Sequence, residues 1–343
     1  MRLSRYVQVV ATLAILPWLT NCGGDGSPAD PSPPPAQPTM EQRAAAATRT
    51  AQGDANACAP IRPFYWEIGD RNAPLVSGSI AATGDPTVYT ASSVMAIASA
   101  SKWIYGAYVA QRRAGALTDD DIRYLTFRSG YTSFSRCLPT QTVDACVAFG
   151  QNGDYHAIAD GLFAYGGGHM EKHASLIGLG PLDSAALATE IRAQLGTDIV
   201  LGYTQPQLAG GIFTTAADYA RFLRKLLGGE LTLGGLLGSH AVCTNPRTCP
   251  QALNTPVSSG ESWNYSLGHW VEVDPVVGDG AFSSAGAFGF YPWIDAGKTW
   301  YGIIARKQLP APGTNEDQSL GEGERSVQCG RLVRKAWITG TAQ

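Results

Sequence analysis

The sequence predicts an α+β fold: one antiparallel sheet assembled from both chain ends, flanked by helices, with a helical lobe inserted between its two halves. Three observations predict it. Residues 64–68 and 74–81 read as two strands joined by a turn at Asp70-Arg71-Asn72. Residues 263–273, 281–294 and 299–305 read as consecutive strands near the other end. Between 118 and 201 the chain is helical and loop-rich, and residues 182–195 carry a helical apolar period. Strands at both ends of a helical middle form the α+β pattern, and no internal repeat is visible. At 343 residues the chain has room for one large domain or two modest ones.

The N-terminus reads as a targeting segment. Arg2 and Arg5 form a basic region, and residues 7–18 form an apolar stretch too short to span a membrane comfortably. Residues 1–21 are therefore expected to be a signal peptide. Leu19-Thr20-Asn21-Cys22 resembles the lipobox of bacterial lipoproteins. That resemblance implies lipidation of Cys22 and attachment to a membrane through the lipid. Gly23 after the cysteine points to the outer membrane, with the protein facing the periplasm or the cell surface. A cleaved soluble product and an uncleaved anchor are the other fates open to such a segment. Residues 22–40, rich in Gly and Pro, cannot build a core and suit a tether. Residues 41–343 are read as the folded domain. It holds no further run of about 18 apolar residues, so no membrane span is expected in the mature protein. With 28 acidic residues against 25 Lys and Arg, the net charge of −3 gives no sign of a nucleic-acid partner.

The remaining elements follow in order. Residues 41–50 are alanine-rich and predict a helix, Ala216–Leu227 predicts an amphipathic helix, and residues 326–337 predict a closing helix. Setting Cys22 aside leaves six cysteines, an even set that in an exported chain suggests disulfides with fifteen possible connectivities. Proximity favours Cys137 with Cys146 and Cys243 with Cys249, leaving Cys58 for Cys329, which would join the two ends of the domain.

The chemistry begins at Ser99-Ala100-Ser101-Lys102. Of the six lysines, only Lys102 has a serine three positions earlier. That spacing sets a hydroxyl beside an amine on one side of a helical turn. Residues 103–110 read as a buried helix stopped near Gly115, so the pair would sit at the start of a core helix, where the macrodipole favours negative charge. A serine hydroxyl is a poor nucleophile until a neighbouring base takes its proton, and Lys102 can serve once burial and its neighbours hold it partly neutral. The plainer reading is a helix start with an N-cap serine and a surface lysine.

Together with segments downstream, this stretch resembles the serine β-lactamase and penicillin-binding-protein superfamily, nearest its class C β-lactamase and esterase branch, from about Phe64 to the C-terminus. Ser99 to Lys102 matches the S-x-x-K nucleophile motif. Leu125-Thr126-Phe127-Arg128-Ser129-Gly130 is similar to L-x-H-T-S-G, and Phe163 to Gly167 places Tyr165 at the tyrosine of Y-x-N. Leu208-Ala209-Gly210-Gly211 resembles the branch's Gly-Gly-then-helix segment. Ser284-Ala285-Gly286 sits where the K-T-G or H-x-G strand belongs. The resemblance implies a β-lactamase/transpeptidase-like fold, Ser99 as nucleophile, Lys102 as base and Tyr165 sharing the proton and passing it to the leaving group. It implies an oxyanion hole from the N–H groups of Ser99 and Ala287, and a substrate lying against the strand at Gly286. It implies no cofactor.

Two positions depart from the pattern. Gly167 replaces the asparagine of Y-x-N, and Ser284 replaces the lysine or histidine of the strand motif. Both losses argue against β-lactam hydrolysis and less against ester or simple amide cleavage. Tyr165 also reads as an ordinary packed tyrosine before a glycine-rich turn, with Tyr131 and Tyr155 as substitutes. Phe288 and Phe290 would share one strand face and could line an acyl pocket, with Tyr291 and Trp293 on the other. His169 and His173, at i and i+4, have the spacing of a metal pair, but the glutamate placement of H-E-x-x-H is missing, so no metal site is expected. His240 or His269 could complete a Ser-His-Asp triad, but no G-x-S-x-G elbow supports one. The sequence is therefore read as an exported serine hydrolase, esterase-like more than β-lactamase, acting on a small-molecule or oligomeric ester or amide through an acyl-enzyme. The alternative is a catalytically silent cell-envelope binding lipoprotein on the same fold.

Overall fold

The computed structural model describes residues 37–309 and 319–343. The expected signal peptide, Cys22 and nearly all of the tether lie outside the described residues. The fold is α+β. Its main sheet is antiparallel and runs, from one edge to the other, through Pro74–Ile80, Phe64–Asp70, Trp300–Ala305, Tyr291–Ile294, Phe282–Ser283, Trp270–Val271, Asn264–Tyr265 and Val242–Cys243. Two strands come from the N-terminal side of the domain and the rest from the C-terminal side. The Phe64–Asp70 strand, next to the edge, is buried on both faces, while the Pro74–Ile80 edge strand alternates exposed and half-buried positions.

Helices cover both faces. The Ala216–Leu227 helix buries Ala216, Tyr219, Ala220, Phe222, Leu223 and Leu226 at helical spacing and packs on Trp300–Ala305 and Phe64–Asp70. Its start is capped by Thr215, whose hydroxyl accepts the Asp218 N–H at 3.1 Å. The Glu322–Thr339 helix packs on Tyr291–Ile294, on Trp300–Ala305 and on the Met40–Ala51 helix. Three disulfides join Cys58 to Cys329, Cys137 to Cys146 and Cys243 to Cys249. The first ties the approach to the Phe64 strand to the C-terminal helix. Disulfides of this number are those of an oxidising compartment. No helix among the described residues is long and apolar enough to cross a membrane.

Two strands predicted as continuous are broken. Residues 263–273 form a hairpin, with Trp270 opposite Tyr265 and the turn at Leu267-Gly268. Gly268 has φ +81°, and a side chain there or at Gly106 would collide with the backbone of the other segment. The turn therefore docks directly on the helix that follows Ser99. Residues 281–294 are likewise two strands, Phe282–Ser283 and Tyr291–Ile294, reversing at Ala287 to Gly289. The break leaves Phe290 opposite Tyr291 and Trp293, as strand alternation predicts, but takes Phe288 off that strand face and into the turn. Tyr291 and Trp293 pack toward the C-terminal helix at Gly330, and Phe290 is buried against Tyr219 on the opposite side. Phe290 is core, not pocket, because the chain turns before it instead of running straight through.

Candidate active site

Ser99 lies in a single tight turn, Ala98–Ala100, immediately before the Ser101–Arg112 helix. Ala98 has φ +44°, an uncommon conformation for a residue with a side chain, and the surrounding contacts hold it there. Ile97 N–H donates to Ile212 O at 3.0 Å, the Tyr219 hydroxyl donates to Ala100 O at 2.9 Å, and the Ser284 hydroxyl donates to Ser99 O at 3.0 Å. A strand, a helix and the end of the main sheet thus pin the turn from three directions. Ser99 stays partly exposed while Ala98, Ala100, Ser101 and Lys102 are buried. Its hydroxyl does not cap the helix.

The Lys102 amine is 2.9 Å from Ser99 Oγ and donates to Ala209 O at 2.8 Å. Lys102 is only 5% exposed, so it is no surface lysine. Its Nζ lies 5.0 Å from the centroid of the Tyr165 ring, a cation–π approach. Tyr165 is itself held in place by aromatic packing: it stacks on Trp270 and meets Phe127 and Tyr265 edge to face. The lobe and the sheet therefore both contribute to its position. Tyr131 and Tyr155 belong to a separate stack with Tyr124.

The strand motif closes in from the other side. Ser284 is buried and spends its hydroxyl on the Ser99 carbonyl, joining the strand end to the Ala98–Ala100 turn. The reason for Gly286 differs from the expected one. A side chain there would meet the Ile97 carbonyl, so the glycine already admits this chain's own backbone. Ala287 and Phe288 occupy the hairpin turn just beyond, with Phe288 half-buried and its carbonyl accepting from Gln308 N–H at 2.9 Å. Arg306 packs behind Gly289, where it is neutralised by Glu322 at 3.0 Å.

Gly167 explains itself in the same way. Its backbone is ordinary helical conformation, which any residue adopts. A Cβ there would stand 3.0 Å from the Phe134 ring. An aromatic face thus lies where the asparagine of Y-x-N would begin.

The histidines have structural work. His169 is buried, its Nδ1 paired with the Ser129 hydroxyl at 2.7 Å and its Nε2 with Ala164 O at 2.9 Å. Burial holds it down to about 4, so it is neutral and Nε2 carries the proton. His173 pairs with the Tyr105 hydroxyl at 2.9 Å and with Asp121 at 3.0 Å. His269, pushed down to about 3 by burial, bonds Gly238 N–H and Leu267 O and stacks on Trp103. All three use both ring nitrogens within the fold. Among the described residues no cluster of His, Cys, Asp and Glu is arranged to hold a metal.

Sequence reading missed two residues here. Phe134 lies in a loop with no periodicity to mark it. Glu171, fully buried, accepts Ala209 N–H on Oε1 and Leu208 N–H on Oε2, each at 3.0 Å. Burial pushes its carboxyl up to about 7 against the pull of those two bonds and of Lys102. The signal was present: Glu171 sits one turn after Gly167 and three residues before Ala174, on the inward side of its helix.

No protein-family model matches the sequence, and no curated protein matches it. Solved structures do. D-amino acid amidase from Ochrobactrum anthropi SV3, complexed with L-phenylalanine, superposes with a TM-score of 0.57 at 12% identity, over 84% of this chain and 99% of that one. EstCE1, a hydrolase with promiscuous acyltransferase activity, gives 0.53 at 12% identity, over 86% of this chain and 98% of that one. A penicillin-binding protein from Bacillus halodurans gives 0.52 at 12% identity, over 71% of this chain and 92% of that one. The chain has the fold of β-lactamase and penicillin-binding-protein-like serine hydrolases.

Proposed function

We propose that the protein is a serine hydrolase that cleaves a carboxylic ester or amide through an acyl-enzyme, with esters preferred over β-lactams. One observation carries the reading: a partly exposed Ser99 hydroxyl 2.9 Å from the buried Lys102 amine, in a turn held by three separate elements. Deprotonated, Lys102 keeps its N–H bond to Ala209 O and turns its lone pair to the Ser99 hydroxyl. Ser99 Oγ attacks the carbonyl carbon as its proton passes to Nζ, and the carbonyl oxygen becomes an oxyanion. The N–H groups of Ser99 and Ala287 are assigned to that charge, each such donor being worth about 3 kcal/mol in the transition state. Lys102, with Tyr165, returns the proton to the leaving alcohol or amine, and water then releases the acid by the reverse course.

Substrate preference follows from the two departures. A penicillin presents a carboxylate and a side-chain amide. Here position 284 offers a hydroxyl already committed to Ser99 O, and position 167 faces the Phe134 ring. Those same features favour the second reading, a binding lipoprotein without turnover. Attachment to the outer membrane through Cys22 belongs to the proposal and rests on the lipobox-like Leu19 to Cys22. Turnover of p-nitrophenyl acetate and butyrate against nitrocefin tests the preference. The esters should be cleaved well above nitrocefin; faster nitrocefin cleavage would overturn it, and no turnover of either would favour the binding protein.

A further inference from the structure

Among the buried ionisable groups that the reaction assigned above leaves unused, Glu171 stands nearest to its machinery. Glu171 lies on the Gly168–Ala174 helix that follows Tyr165. Its two oxygens take the N–H groups of Leu208 and Ala209, and the Ala209 carbonyl takes Lys102 Nζ at 2.8 Å. One residue of backbone is therefore held at its N–H by a carboxylate while its C=O holds the lysine. The two side chains also interact electrostatically, since Lys102 opposes the rise that burial imposes on the Glu171 carboxyl. The other ionisable groups facing Glu171 are Tyr105 on the Ser101–Arg112 helix and Tyr203 on Leu201–Tyr203, both kept neutral by burial. Beyond Tyr105 come His173 and Asp121, the latter paired with Arg113.

We propose that Glu171 is a positioning residue for Lys102: it pins Leu208 and Ala209 so that the Ala209 carbonyl holds the amine beside Ser99, and its charge sets the pH at which that amine gives up its proton. The inference rests on Lys102 acting as the base of Ser99. A nearby anion favours the ammonium form, so ionised Glu171 keeps Lys102 protonated to higher pH. A neutral side chain at 171 lets Lys102 deprotonate at lower pH. A carboxylate is retained because it alone offers two acceptor oxygens to two buried N–H donors. A glutamine in its place offers one oxygen and sets its NH2 against the other donor.

The test is Glu171→Gln, with two readings. One is the acidic limb of kcat/KM for a p-nitrophenyl ester. The other is the titration of Lys102 itself, followed by NMR in protein carrying 13C-labelled lysine, with Lys102→Arg assigning its signal among the six. Both midpoints should fall together, by about one unit or more for removal of an adjacent opposite charge. Glu171→Asp keeps the charge but not the reach; it should lower kcat and leave the limb in place. A folded Glu171→Gln that loses activity with both midpoints unmoved would show a merely structural residue and overturn the proposal. If Glu171→Gln does not fold, the unsubstituted protein decides: its Lys102 signal, followed across the whole range in which the protein stays folded, should show a second inflection as Glu171 ionises. A single transition across that range overturns the proposal. The NMR readings need no turnover, so failure of the hydrolase reading stays distinguishable from failure of this one.

Discussion

Beneath the turn proposed to carry the nucleophile, Ser99, Lys102, Ala209 and Glu171 form one continuous chain of hydrogen bonds in which each polar group has a partner. On the substrate side, Gly167 and Ser284 have surrendered the side chains that the resembling family places there. One site now faces an aromatic ring and the other is tied to this chain's own backbone. The two regions are subject to different demands. The catalytic pair needs a hydroxyl, an amine and a fixed separation, and few substitutions preserve all three. Recognition groups can change with the substrate as long as the packing closes around them.

The comparison breaks most sharply at Lys102. Lys102→Ala leaves the Ser99 hydroxyl without its base and should cost about a hundredfold to ten-thousandfold in kcat, measured with p-nitrophenyl butyrate. A variant within a few-fold of wild type would mean that the apparatus beneath the nucleophile is inert. Tyr165→Phe comes next. It keeps the stack on Trp270 and the ring beside Lys102, and removes only the hydroxyl. It should cost about a hundredfold on alkyl esters or amides, whose leaving groups need a proton, and little on nitrophenyl esters. Equal loss on both would move Tyr165 from leaving-group protonation to positioning.

The smallest effect should come from the recognition side. Gly167→Asn forces a side chain against Phe134 and should destabilise the fold by about 1–3 kcal/mol, read as a lower urea midpoint. In a Phe134→Ala background the same change should cost less, because the two positions share one space. Additive costs would show that Phe134 does not occupy the room of the missing asparagine.

Much of this was legible in the sequence, but unevenly. The assembly of one sheet from both chain ends was legible because the strand-like segments at 64–80 and 263–305 are separated by a helical middle. The Ala216–Leu227 helix was legible to the residue because its apolar stripe is clear. The hairpins at Leu267-Gly268 and Ala287–Gly289 were not. Aromatics run through both segments, and the glycines at 268 and 286 have their reason in a neighbouring backbone far away in sequence. Phe290 was misplaced for the same reason. The Ser99–Lys102 pair depends on a local spacing, so the sequence carried it. Glu171, in contrast, acts on Lys102 through Ala209, three segments that only the fold brings together.

The central claim is that Ser99 is the group that forms the covalent bond with substrate, and labelling by a fluorophosphonate tests it most directly. The native protein should gain the mass of one adduct, peptide mapping should place it on Ser99, and both Ser99→Ala and Lys102→Ala should abolish or strongly slow the labelling. An adduct on another serine, or undiminished ester turnover in Ser99→Ala, would contradict the account.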